Sequence, residues 1–311
     1  MELLNILFVA PFLDMASSPV FFAEVVITGL LTGIMYSLVA LGFVLIFKAS
    51  GVFNFAQGAM VLFAALTLVG LMERGVPIPF ALAGTVLVMI ALAMLIERMM
   101  LRHLVNQEGI ILFMATIGLN FLLEGAGQIA WGSNVKVLDI GIPDQSFEVY
   151  GILLNQFDLF AAGTGAVLVT TLAVFFQKTT IGRALRAVAD DHQAALSVGI
   201  PLKTIWVIVW SVSGIVALVA GIMWGAKSGV QFSLSLIALK ALPVLILGGF
   251  TSVPGAIIGG LIIGVGEKIA EIYWGPAFGG AIEGWFAYML ALAFLMFRPQ
   301  GLFGEKIIER V

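Results

Sequence analysis

Apolar stretches recur along nearly the whole chain, at residues 21–47, 55–72, 78–96, 109–131, 157–177, 205–224, 236–249, 254–266 and 277–297. A helix needs about 20 apolar residues to cross the hydrocarbon core, so most of these predict membrane-spanning helices. Residues 3–13 predict an interfacial or partial segment, and with Lys48 as the first basic residue the start lacks the positive region of a cleaved signal peptide. The seventh and eighth stretches are too short to cross singly without tilt, and "GGFTSVPG" (248–255) joins them. A Gly/Pro interruption of that kind marks discontinuous helices. Beyond it, Gly255 with Gly259 and Gly260 with Gly264 follow a small-xxx-small spacing, which lets two helix backbones approach closely. No convincing internal repeat is present.

The polar positions set the orientation, because Lys and Arg concentrate on the cytoplasmic side. Loop 97–108 carries Arg98 and Arg102, stretch 178–204 carries Lys178, Arg183, Arg186 and Lys203, and the tail carries Arg298, Lys306 and Arg310. These are expected in the cytoplasm. Loop 132–156 has Lys136 against Asp139, Asp144 and Glu148, and 267–283 has Lys268 against Glu267, Glu271 and Glu283. These are expected outside. Composition agrees with a polytopic membrane protein: 61% of residues are hydrophobic and 11% charged, against about 45–50% and 25% in soluble domains. No polar block is long enough for a second domain, so residues 1–311 are expected to form one transmembrane domain. The net charge of -3 says little about partners, and no cysteine is present, which excludes disulfides and thiolate chemistry.

One polar interruption stands apart. In "LIFKASGVFNFAQGAMVLF" (45–63), apolar ends flank Lys48, Ser50, Gly51, Asn54, Gln57 and Gly58. Two readings fit. The stretch is a cytoplasmic turn between two spans, the first of them long enough to cross at about 40 Å for 27 helical residues. Alternatively, Ser50–Asn54 is a break inside the membrane domain, and the helix from about residue 55 points its N-terminus at a substrate path. Glycine tolerates unusual backbone angles, an Asn side chain caps free N–H groups, and a helix N-terminus favours an anionic group such as a carboxylate. Gln57 would add an amide contact, and Phe53 and Phe55 an apolar surface.

Catalytic chemistry finds little support. The chain has no G-x-x-x-x-G-K-[ST] and therefore no site for nucleotide hydrolysis. His103 and His192 fall in cytoplasmic loops without metal-ligand spacing, and Asp190–Asp191 lacks the second acidic pair that a Mg²⁺–diphosphate enzyme would need. Glu124 is the one clear acid within a predicted span and Lys240 the one base. Intramembrane charges are functional candidates by default. A helix-end position for Glu124 and a snorkelling Lys240 stem are the bland alternatives.

Stretch 178–204 reads as short amphipathic helices below the membrane, stopped at Gly199 and Pro201. Within it, "QAALSVG" (193–199) resembles the EAA-x-x-x-G coupling loop of ABC importer permeases, with Gln193 for the usual glutamate. In the same order along the chain, "ALGFVLIFKASGVFNFAQG" (40–58), "IERMMLRHL" (96–104), "FMATIGLN" (113–120), "TTIGRALRAVADD" (179–191), "ILGGFTSVPGAIIGGLIIGVGE" (246–267) and "FRPQGLFG" (297–304) resemble the first permease of the branched-chain (hydrophobic) amino acid ABC uptake systems. The resemblance spans residues 21–304. Gln57 stands where many relatives carry histidine, which removes a titratable group, and Gln193 removes a charge at the coupling loop.

The resemblance implies an all-α polytopic permease of the ABC importer type, with about eight transmembrane helices plus broken or re-entrant segments, in the bacterial inner membrane. It implies a second homologous permease, two cytoplasmic ATPase subunits, a soluble substrate-binding protein, membrane lipid and an amino acid substrate, with no cofactor, no metal, no nucleic acid and no enzymatic activity in this chain. Expected path residues are Ser50, Gly51, Asn54, Gln57, Thr116 and Asn120, and expected ATPase-coupling residues are Arg183, Arg186, Gln193, Ala194, Ala195 and Gly199. Related permeases for urea, short amides or similar small polar solutes are the alternative. An ion-coupled secondary transporter is the rival of a different class, and it would need paired intramembrane charges.

Overall fold

The structure is a computed structural model that describes residues 7–104, 107–190 and 192–304, without the side chains of Asp190, His192 and Gln193. The Asp190–Asp191 pair, Lys306 and Arg310 therefore lie outside the described side chains. Among the described residues six helices are long and apolar enough to cross a membrane: α2 (Pro19–Ser50), α4 (Ile78–Met99) with the turn that extends it to His103, α5 (Gly109–Trp131), α6 (Gln156–Lys178), α9 (Leu202–Ser228) and α11 (Val253–Tyr273). Three shorter apolar segments accompany them: α3 (Gln57–Glu73), the Phe232–Leu236 turn running into α10 (Ile237–Gly248), and α13 (Glu283–Phe297). The remaining helices are short: α1 (Ala10–Ser17), α7 (Thr180–Asp190), α8 (His192–Ser197) and α12 (Gly275–Phe278). Helices dominate because hydrocarbon offers backbone groups no partner except the chain itself.

The nine apolar stretches read from the sequence correspond to these nine segments, with one misplaced boundary of consequence. Residues 254–266 belong to a 21-residue helix, long enough to cross alone, because α11 continues through Glu267, Lys268 and Glu271 to Tyr273. Glu267 and Lys268 are therefore helical rather than part of an outer loop, and Glu267 is buried. Charge counting ended the span early because the cation that pairs with Glu267 is distant in sequence.

The chain packs around α2, whose central window is 78% buried, against 17% for α5. Small residues set that packing. A Cβ on Gly33 would lie 2.5 Å from the Gly260 carbonyl oxygen, one on Gly29 2.7 Å from Val265 Cα, and one on Gly264 would collide with the Gly29 carbonyl. Backbone thus meets backbone where α2 crosses α11, and Gly255 and Gly259 serve the same end against Gly248 and Val244 of α10.

Two opposite ends of the bundle can be recognised. At one, Lys136 pairs with Glu73 and shares a bridge with Val230, and the Leu153 N–H donates to Glu24 (2.9 Å). This end also carries a hairpin, β1 (Ser146–Val149) and β2 (Ile152–Asn155), turned at Tyr150–Gly151 with both residues at positive φ. At the other end, one cleft gathers Lys48, Gln177, Arg186, Ser252 and Phe303, and the Leu302 N–H donates to the Leu247 carbonyl (2.8 Å). The basic segments 178–204 and the start of the tail thus share a face with the end of α2, opposite loop 132–156.

Candidate functional site

The interruption at 50–57 is built into the bundle rather than lying outside it. α2 runs to Ser50, whose Oγ donates to the Ile46 carbonyl (2.7 Å), and ends at exposed Gly51 in the left-handed region (φ 68°). Glycine adopts that angle at no cost. The chain then turns back along α2, stacking Phe53 on Phe43 with ring centroids 5.1 Å apart and laying Gln57 against Gly42. Gly42 lies eight residues before Ser50, about 12 Å along the helix axis. α3 thus begins well inside the level at which α2 ends, and the sharp turn and the interior helix start are both present in successive residues.

Asn54 and Gln57 are fully buried at this start. The Asn54 carboxamide oxygen accepts from the Ala56 N–H (3.1 Å) and its nitrogen donates to Gln57 Oε1 (3.4 Å), which also accepts from Ser213 (3.1 Å). Thr116 of α5 pins the turn from the other side: its Oγ1 accepts from the Phe55 N–H (3.0 Å) and lies 3.2 Å from the Phe53 carbonyl. The N–H groups of Phe55, Ala56 and Gln57 are therefore already bonded within the chain, the last to the Asn54 carbonyl (3.2 Å). Gln57 Nε2 is buried and has no acceptor among the described residues.

Beside this turn lies a pocket of about 100 Å³, lined by Phe43, Phe53, Phe55, Asn120, Glu124, Ser235, Leu236, Ala238, Leu239 and Leu242. Of the expected path residues, Asn120 lines it directly. Thr116, Asn54 and Gln57 form the wall behind, while Ser50 and Gly51 sit at the end of α2 and do not line it. Sequence reasoning passed over Phe43, Ser213 and Ser235. The signal available for Ser213 was a polar residue midway along an apolar span.

Lys240 lies in a separate ion cluster. Its Nζ is 3.2 Å from Glu267 and 3.1 Å from Glu283, with the Tyr36 hydroxyl at 3.4 Å, and Lys268 completes the group at 3.3 Å from Glu283. The four charges balance, and they tie α10, α11 and α13 together beside α2.

The family described as "Branched-chain amino acid transport system / permease component" matches residues 25–298. The chain belongs to this permease family. It is 28% identical over 305 residues to the high-affinity branched-chain amino acid transport system permease protein BraD of Pseudomonas aeruginosa, covering 93% of this chain and 98% of that one. The corresponding protein LivH of Salmonella typhimurium is 25% identical, covering 96% and 100%. The probable branched-chain amino acid transport permease protein LivH of Methanocaldococcus jannaschii is 27% identical, covering 86% and 88%. The solved structure of PsaBC from Streptococcus pneumoniae in complex with Fab is similar at a TM-score of 0.47 and 16% identity, covering 87% of this chain and 89% of that one. The chain is an all-α, multi-pass membrane permease of the ABC transporter type.

The permease's basic segment forms α7 and α8. α7 is amphipathic: Leu185 and Val188 are buried, and Gly182 abuts the backbone of Phe176 so closely that a Cβ would collide. Arg186 donates to the Phe176 carbonyl, and Arg183 is exposed. In α8, Ala195 is buried within the chain, whereas Ala194, Leu196, Ser197, Val198 and Gly199 are exposed, with Gly199 at φ 85° ending the helix. The Gln193 side chain lies outside the described residues.

Proposed function

We propose that this permease is a membrane subunit of an ATP-driven importer for branched-chain or other hydrophobic amino acids in the cell's inner membrane. Near end-to-end similarity to relatives named for branched-chain amino acid transport carries this reading. The pocket beside the interior start of α3 agrees with it, since three phenylalanines and three leucines offer apolar walls to an aliphatic side chain while Asn120 and Glu124 offer polar contacts. If import is ATP-driven, a chain without a nucleotide motif needs the ATPase in separate subunits. In this reading two ATPase subunits dock on the cytoplasmic face, a second homologous permease completes the path, and a soluble binding protein delivers substrate from outside.

The docking surface is α8, with exposed Leu196, Val198 and Gly199 alongside Ala194, while buried Ala195 supports it from within. The substrate path passes the turn at Phe53–Gln57. The pocket that opens beside this turn supports the placement, since Phe53 and Phe55 of the turn line it together with Asn120. The test is uptake by proteoliposomes containing the full assembly and its binding protein. ATP-dependent entry of radiolabelled leucine, isoleucine or valine is the expected result. Entry of urea or short amides in their place would assign the alternative substrate class, and ion-driven entry without ATP would remove the ABC reading altogether.

A further inference from the structure

We propose that Glu124 and Asn120 form a recognition site for the α-ammonium group of the transported solute, a proposal that rests on the amino acid import reading. Thr116, Asn120 and Glu124 are spaced by four residues on α5 and so lie along one helix stripe, pointing at the turn that opens α3. Thr116 holds that turn through the Phe55 N–H, and Asn120 and Glu124 line the adjoining pocket. Among the described residues neither Asn120 nor Glu124 has a hydrogen-bond or ion-pair partner, and no lysine, arginine or histidine lines the pocket. Glu124 lies seven residues before the end of an apolar span, about 10 Å in. A half-buried carboxylate there is costly unless a cation or donor meets it.

The carboxylate of the solute is a poor candidate for that meeting. The N–H groups of Phe55, Ala56 and Gln57 are bonded internally, and Glu124 repels an anion. An ammonium group instead gains a charge-assisted bond to Glu124 and a second bond to the Asn120 carboxamide oxygen. Phe43, Phe53, Phe55 and Leu239 then face the apolar side chain. The site thus reads the two features that a hydrophobic amino acid combines, and it rejects the same skeleton without nitrogen.

The experiment uses the permease–ATPase assembly in nanodiscs without binding protein and measures leucine binding by saturation-transfer NMR. Leucinamide, which keeps the ammonium, should displace leucine, and isocaproate, which lacks it, should not. Glu124→Gln should weaken leucine binding by about tenfold or more, the loss expected for one charge-assisted bond, and Glu124→Asp should restore part of it. Equal displacement by leucinamide and isocaproate, unchanged binding to Glu124→Gln, or no leucine signal on the wild-type assembly would each overturn the site. If Glu124→Gln fails to assemble, the two competitors on the wild type still decide. Failure of the import reading is distinguishable, because the wild-type transporter would then import no amino acid in the proteoliposome assay.

Discussion

Replacing Lys240 by methionine removes a charge while keeping most of the side-chain volume, so its effect reports on the ion cluster rather than on packing. In the wild type, Nζ sits 3.2 Å from Glu267 and 3.1 Å from Glu283. The Glu267 side chain is 2% exposed, whereas those of Lys240 and Glu283 are 34% and 35% exposed. Loss of the cation therefore strands one buried carboxylate, while Glu283 keeps Lys268 at 3.3 Å. Breaking a buried pair from one side costs about 3–5 kcal/mol, and the partial exposure of Lys240 places this case near the lower end, about 3 kcal/mol. Lys240→Met/Glu267→Gln removes the stranded charge together with its partner and should recover about 2 kcal/mol of that loss. The assay is equilibrium unfolding in mixed detergent micelles, following tryptophan fluorescence for both single variants and the double. Refutation is a Lys240→Met variant within about 0.5 kcal/mol of wild type, or a double variant that loses the plain sum of the two single losses.

Other perturbations address the remaining elements. A cysteine at exposed Ser133 should react with an impermeant reagent in intact cells and one at exposed Ser197 should not, since the chain has no native cysteine to confuse the readout; the reverse pattern would invert the topology. Gly264→Ala forces a methyl against the backbone of Gly29 and Gly33 and should cost about 1–3 kcal/mol in the same unfolding assay, whereas Gly125→Ala, with open space at its Cβ, should be near neutral. Val198→Asp should abolish ATPase co-purification and uptake without lowering the unfolding midpoint; intact co-purification would remove α8 from the docking surface. Asn54→Leu and Gln57→Leu should impair uptake while leaving assembly and basal ATPase activity in place, and near-normal uptake in both would reduce 50–57 to a structural turn.

What the sequence made readable follows from which interactions are local. Spans were readable because hydrocarbon demands long apolar helices, and the glycine spacing in 255–264 was readable as packing because small residues have few other uses there. The end of α11 was not, because whether Glu267 belongs in a loop or a helix depends on Lys240, twenty-seven residues earlier and on another helix. Burial of Ala195 was hidden for the same reason: alternation within α8 does not say which face meets the bundle. The hairpin at 146–155 escaped because Tyr150–Gly151 is a weak turn signal: a two-residue turn with both residues at positive φ favours Asn-Gly or Asp-Gly, and tyrosine is uncommon there.

The turn at 50–57 lies between these cases, and it shows why neither of the two readings offered by its residues was complete. Gly51 was legible as a helix stop, which is the turn; Asn54 was legible as a cap, which is the interior start. Depth in the membrane depends on a third residue, Gly42, fifteen positions before Gln57 in sequence. A Cβ there would lie 2.6 Å from Gln57 Cδ and collide with the amide nitrogen, so glycine at 42 makes the room in which the Gln57 carboxamide is buried. The Ser213 hydroxyl of α9 then donates to the amide oxygen. The polar residues of the interruption carry the local geometry, but the place where that geometry is delivered is set by an absent side chain on α2 and a hydroxyl on α9.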